Sequence, residues 1–488
     1  MIKSIFQNRQ TPFWLITFSL LIGLTLPTLI KDGMFMDAVL YTSVSHNLSM
    51  GIGSFWFPQF SLHNVAGLSS FHAQPPLVFG IQALFFKLLG DSLYVERFYT
   101  FLTMCITAAL ITVLWKEIYR KDNSLRKLGW LPIIFWITIP ICFWSYSNNM
   151  HENTMGIFTL CAVLFIFKVL QSPKIEFTKC ILAGVFVFLA TMSKGIPGFF
   201  PICIPVLYWM AVSRVNFLKA LKQTFLISIA PLLLFGVLFL IPESKESLSI
   251  YFFKRALQRM SEVPTVDNRF FILMRLFMEL LPQIVLFIIL TIVSRIKKIE
   301  LRFSYSYRHF LFFTLIGLAA SAPLMLTMVQ KGFYFVPSLP FFAIGFSILI
   351  APFISNVLSL INTANFKFTL FLIFSFILIL SVTTFAFMQK GKTSRNKEML
   401  HDVYLFGKII PPHSIATIPA QMWNQWDLQC YLVRYFNISL ETEAEGKYLI
   451  LEKGLSPETV SKYKMLDLET LKYNLYEKEE KNRSRKIY

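Results

Sequence analysis

Ionisable residues are scarce between the apolar runs of this chain, so the few that occur outline its chemistry. Asp37, in "KDGMFMDAVLY", follows the first apolar run and heads a helix-like stretch that reaches about Ser49 and stops at Gly51 and Gly53. As an N-cap its carboxylate would accept backbone N–H groups at the positive end of the helix dipole. A functional carboxylate is the alternative, and it needs partner motifs on the same side of the membrane. Cations stand at Lys194 in "MSKGIPGF", at Arg255 and Arg259 in "YFFKRALQRM" and at Lys331 in "QKGFYFVPSLP", where Tyr334 adds a neutral donor. Together they would bind an anion through charge-assisted hydrogen bonds. Each also has a plain reading: Lys194 as a snorkelling lysine, the two arginines as headgroup contacts, Lys331 and Tyr334 as interface residues. His151 and Glu152 in "NNMHENTM" read as loop rather than a metal site, and Arg275 and Glu279 as a pair neutralising each other across one helical turn.

The elements that carry these residues are membrane helices. The 488-residue chain is 55% hydrophobic and 16% aromatic, with mean hydropathy +0.58, which excludes a soluble multidomain protein. The net charge of +19 gathers in short loops, as the positive-inside rule requires, so nucleic acid is not a partner. The six cysteines show neither disulfide nor zinc spacing. Lys3 and Arg9 precede an apolar run of roughly 18 residues without a small-residue cleavage pattern, which reads as a retained signal anchor.

Spans are expected near 13–30, 98–115, 129–147, 154–170, 179–193, 197–212, 223–241, 272–294, 309–328, 334–352 and 366–388, about eleven in all. The run Pro76 to Gly90 reaches only about 22 Å as a helix and is expected to lie at the outer surface. Residues 116–127, 174–179, 214–222 and 295–308 then become cytoplasmic basic loops, together with the N-terminus, and the tail becomes external. Asp37, Glu152, Lys194, Arg259 and Lys331 all fall on the outer side. The pair 179–193 and 197–212, split only by "SKGI", is the least regular part of this scheme.

In this order and on this common side, the motifs resemble those of the bacterial GT-C fold glycosyltransferases of family 39, which include protein O-mannosyltransferases and aminoarabinose transferases. The resemblance covers most of residues 10 to 390. Asp37, with Tyr41 four residues on, is similar to the family's first-loop acid; "HAQPPLVFGIQALFFKLLGDSLYVERF" resembles its Lys-Pro-Pro-Leu helix and the following arginine, here Arg97. "MSKGIPGF", "YFFKRALQRM" and "QKGFYFVPSLP" resemble its Lys-Gly, outer-loop Arg and Lys…Tyr-Leu-Leu-Pro motifs. The resemblance implies an all-α polytopic fold over 1–388, with 31–97 as the first outer loop and juxtamembrane helices, and a polyprenyl-phosphate sugar donor that needs no nucleotide and no cofactor. Asp37 would accept or orient the acceptor hydroxyl's proton in an inverting single displacement. Lys194, Arg259, Lys331 and Tyr334 would hold the departing phosphate, and Tyr41, His72, Gln74, Arg97 and Glu152 the substrates.

The chain departs from the aminoarabinose branch where Ala73 and Gln74 stand before Pro-Pro, and where Lys254 or Arg255 replaces the outer-loop histidine. That branch's proposed metal-binding pair is absent, so no bound metal is expected, and another sugar is favoured. Residues 389–488 read as a small external α/β domain, with a helix in "MWNQWDLQCYLVRYF", strands in "SIATIP" and "KYLILEK" and a charged end. The acceptor is a lipid, a glycan or a protein. A lipid-linked saccharide flippase is the alternative class; it predicts mid-membrane polar residues and repeated spans, and neither is found.

Overall fold

A computed structural model describes residues 8–61, 70–212, 216–256, 263–296, 303–442, 446–455 and 458–479. Among them, nine helices are long and apolar enough to cross a membrane: Thr11–Leu29, Tyr94–Ile118, His151–Gln171, Phe177–Lys194, Phe217–Leu240, Phe271–Ile296, Tyr307–Leu326, Gly332–Ser359 and Phe366–Phe387. The chain is a polytopic membrane protein. The remaining two expected spans are broken segments. One is Trp130–Ile137 followed by Pro140–Tyr146; Pro140 forces Ile139 into an extended conformation before it. The backbone freed by that break is satisfied from Phe271–Ile296, where Gln283 Nε2 donates to Phe135 O at 3.2 Å and Glu279 Oε2 accepts from Ile141 N at 2.8 Å. Glu279 also takes Arg275, at 2.7 Å, as the four-residue spacing predicts. The other is a 3₁₀ stretch, Ile196–Cys203, leading into Ile204–Val212.

Residues divide into two compact units. The first holds 1–30, 72–78 and 97–390, and therefore nearly all of the apolar helices. The second joins 31–71, 79–96 and 391–488, a grouping that composition alone does not indicate. Leu77–Leu89 is a helix of 13 residues, too short to cross.

Within the second unit, the tail builds a five-stranded mixed sheet in the order β2-β1-β3-β5-β4, with β1 Ile415–Thr417, β2 Ser439–Glu441, β3 Tyr448–Glu452, β4 Tyr463–Met465 and β5 Tyr473–Lys478. β1 pairs parallel with β2 and β3, while β5 runs antiparallel to β3 and β4. Helices Lys397–Ile409 and Trp426–Phe436 accompany it. The buried Asp402 carboxylate accepts the backbone N–H groups of Leu471, Lys472 and Tyr473 at 2.7, 2.6 and 2.8 Å, fixing the entry of β5. The expected helix and both expected strands are present; most of the charged end lies outside the described residues.

Candidate active site

Asp37 sits in the first turn of the helix Met36–Ser49, whose N-cap position is taken by Phe35. The N-cap reading is thereby corrected: the N-cap residue is Phe35, and Asp37 contributes charge to the positive end of the helix from inside its first turn. The helix stops as expected, with Gly51 at φ +81° and Ile52 N donating to Asn47 O at 2.9 Å. Asp37 is half-buried, and its charge adds to the effect of burial in pushing the Cys430 thiol up from its ordinary value; burial is the larger cause, followed by Asp427 and then Asp37. Tyr41, one turn on, is buried, with its ring edge-on to Phe71 and Phe79.

In the first unit the helices His151–Gln171 and Phe177–Lys194 are joined by residues 172–176 and pack side by side. Their antiparallel course brings the first turn of one to the last turn of the other. Glu152, acidic in an N-terminal turn, and Lys194, basic at a C-terminal turn, each suit the local dipole. They meet as a buried ion pair, Nζ to Oε1 3.1 Å. Two residues named separately from the sequence are thus a single feature.

The backbone turn after Lys194 is specific. Gly195 has φ +88° and ψ −148°, a region essentially open to glycine alone, and a Cβ placed there would lie 1.6 Å from the Tyr251 hydroxyl oxygen. That hydroxyl donates to Lys194 O at 3.2 Å. The glycine therefore admits the tyrosine that holds the lysine's backbone.

Tyr251 belongs to the π-helical segment Ile250–Ala256, which also carries Arg255. Arg255 is exposed, and its charge reaches His72. Burial first, and Arg255 second, push the His72 imidazole down to about 4, so it is neutral near pH 7. His72 Nδ1 lies 3.3 Å from Ser247 Oγ. Arg259, named from the sequence, lies outside the described residues.

Lys331 is exposed and precedes the 3₁₀ turn Gly332–Ser338; Tyr334, half-buried, donates its N–H to Lys331 O at 3.1 Å. The preceding Gln330 is buried and donates through Nε2 to Arg269 O and Thr327 O, each at 2.9 Å, while its Oε1 accepts from Ile272 N. Gln330 thus ties the Lys331 segment to 265–272. Gln74 and Arg97 are buried in the same unit. Beside Arg97, Tyr99 bonds Thr154 at 2.6 Å and Thr100 Oγ1 donates to Asn149 Oδ1 at 3.3 Å, so a buried polar band accompanies the "SNNMHENT" stretch. Asp37 and Tyr41 belong to the second unit and the cations to the first. Among the described residues no group of three His, Cys, Asp or Glu has metal-binding proximity.

Sequence reasoning missed Tyr251, Gln330 and the band around Tyr99. Tyrosine and glutamine carry no motif at these positions, and their partners lie tens of residues away.

Residues 73–239 match the model of the dolichyl-phosphate-mannose-protein mannosyltransferase family. No curated protein matches the chain. Among solved structures, it is similar to ArnT from Cupriavidus metallidurans bound to undecaprenyl phosphate, with TM-score 0.60 and 12% identity over 95% of this chain and 97% of that one. The chain has the GT-C fold. The apo state of the same ArnT gives TM-score 0.61 at 11% identity, again over 95% and 97%. A further GT-C relative in structure is the archaeal oligosaccharyltransferase AglB from Archaeoglobus fulgidus, in complex with an inhibitory peptide and a dolichol-phosphate, with TM-score 0.53 and 11% identity over 91% of this chain and 70% of that one.

Proposed function

We propose that this chain is an integral membrane glycosyltransferase that moves one monosaccharide from a polyprenyl-phosphate donor to a lipid, glycan or protein acceptor on the outer face of the plasma membrane. The reading is supported chiefly by the buried Glu152–Lys194 pair, set in a GT-C fold whose structural relatives include proteins with undecaprenyl phosphate or dolichol-phosphate bound. A cation held at a helix end by a buried carboxylate suits a lipid-borne phosphate better than it suits a transport path, which needs polar groups along the membrane. The N-terminus is cytoplasmic and the tail external.

In the proposed step, the Asp37 carboxylate takes the proton of the acceptor hydroxyl as its oxygen bonds to the anomeric carbon. The bond from that carbon to the phosphate oxygen breaks, and its electron pair leaves on the phosphate. Lys194, Lys331 and Arg259 stabilise the growing charge, with Tyr334 as a neutral donor. Neutral His72 and Gln74 offer hydrogen bonds, and Arg97 charge, towards the substrates. The step inverts the anomeric centre and draws on no cofactor.

Purified protein in lipid and detergent, given a panel of radiolabelled polyprenyl-phosphate sugars with an envelope extract, tests this reading. Transfer by wild type that is lost in well-folded Asp37→Asn supports it and names the donor. Absence of transfer from every donor overturns it and favours lipid translocation.

A further inference from the structure

The tail helix Trp426–Phe436 packs along the helix Met36–Ser49 that carries Asp37. One face of it, at Cys430, Tyr431, Arg434 and Tyr435, meets that helix, the chain just before it, or the segment 86–96.

Ahead of the Asp37 helix, Tyr431 Oη donates to Met34 O at 3.0 Å, two residues before its first turn. Tyr435 Oη and Tyr404 Oη donate to the two carboxylate oxygens of Asp32, at 2.5 and 2.6 Å. In the middle, Ser43 Oγ donates to Cys430 O at 3.4 Å.

Near the other end, His46 Nε2 lies 2.5 Å from Asp91 Oδ1, and the same carboxylate takes Arg434 Nη1 at 3.3 Å. Arg434 is fully buried, stacks over Phe86 at 4.9 Å and donates through Nη2 to Glu96 Oε2 at 2.9 Å and to the carbonyls of Asp91 and Ser92. A planar fork that engages several acceptors at once is a costly thing to bury unless its geometry is specified. Here its acceptors all lie in 91–96, the segment that also anchors His46.

We propose that Trp426–Phe436 is a positioning element of the transferase, holding the Asp37 helix from both ends, with Arg434 and Tyr431 as its positioning residues. This rests on the proposed role of Asp37. It gives the tail a function that its own sequence, which carries no catalytic constellation, does not disclose. Displacing a reacting group by about 1 Å costs up to roughly a hundredfold in rate, so small losses at this contact are read in turnover before they are read in binding.

The test uses the full chain with Tyr431→Phe, which removes one hydroxyl, and Arg434→Lys, which keeps the charge and loses the fork. Amide hydrogen exchange over 36–49 and steady-state transfer are measured on both. The expected result is exchange over 36–49 about tenfold faster, with kcat about tenfold lower and the donor KM unchanged. Unchanged exchange over 36–49 in both variants overturns the positioning role, and so does faster exchange with unchanged kcat. If wild type itself transfers nothing, the functional reading fails, while the exchange data still decide whether the tail holds the helix.

Discussion

Glu152 and Lys194 form an ion pair 3.1 Å long, with side chains 1% and 6% exposed, at adjoining ends of two antiparallel helices. A pair so enclosed is weak as a source of stability but expensive to break. Lys194→Met leaves a buried carboxylate uncompensated and is expected to cost about 3–5 kcal/mol, read as a lower unfolding temperature in detergent. The double variant Glu152→Gln with Lys194→Met recovers most of that loss and none of the transfer activity. Recovery of transfer in the double variant would show that the pair serves only the fold.

Asp37→Asn preserves shape and removes the charge. Inside the first turn, that charge is worth about 0.3–1 kcal/mol to the helix, so unfolding changes little. In the proposed role of general base it would supply about 10²- to 10⁴-fold, so on that reading kcat is expected to fall by that factor with the donor KM unchanged. A fall below threefold would remove Asp37 from the catalytic step.

Gly195→Ala places a methyl 1.6 Å from the Tyr251 hydroxyl oxygen, on a backbone at φ +88°. The variant is expected to unfold well below wild type and to lose transfer through Lys194. Tyr251→Phe, which deletes one hydrogen bond, costs about 1 kcal/mol. Combining Gly195→Ala with Tyr251→Ala separates the two contributions, because the collision goes and the backbone strain stays. Additive losses in thermal unfolding would contradict the contact.

Two buried histidines set a pH dependence. His46 is pushed down to about 4, by burial first and then by the Arg434 charge, against the opposing pull of Asp91; His72 is pushed to about 4 by burial and Arg255. Both ordinary values are 6.5, so the unfolded chain binds more protons than the folded one between pH 6.5 and 4. Stability is therefore fully present above about 6.5 and falls as pH drops towards 4. Unfolding temperatures measured from pH 7.5 to 4.5 check this, and His46→Gln is expected to flatten the slope. Transfer is also expected to show no step near pH 6.5 from His72, which stays neutral through that range.

Much of the architecture was legible in order and spacing. Long apolar runs can only be helices in a bilayer, where every backbone group must be bonded internally. The spans from Thr11–Leu29 to Phe366–Phe387 follow from that, whereas the helix Trp426–Phe436 and the strands β1 and β3 of the tail follow from local periodicity outside the apolar runs. Pro140 and the cluster Pro197, Pro201 and Pro205 carry in plain view the reason two further segments are broken. The strands β2, β4 and β5 were not legible: their residues, "SLE", "YKM" and "YNLYEK", mix polar and charged side chains into short stretches and lack an apolar run like "YLIL" of β3.

The site divides along the same line. Residue types and their order nominated Asp37, Glu152, Lys194 and Lys331, since isolated charges beside apolar helices stand out in one dimension, and Tyr334 through its place in "QKGFYFVPSLP". Only the tertiary structure decided that Glu152 and Lys194 are partners, that Tyr251 occupies the space Gly195 leaves, and that Arg434, more than three hundred residues from Glu96, is bonded to it. Hydropathy is a local property, fixed residue by residue by transfer from water. An ion pair or a hydroxyl lodged against a glycine depends on where the chain returns in space, and that is set by packing over the whole fold.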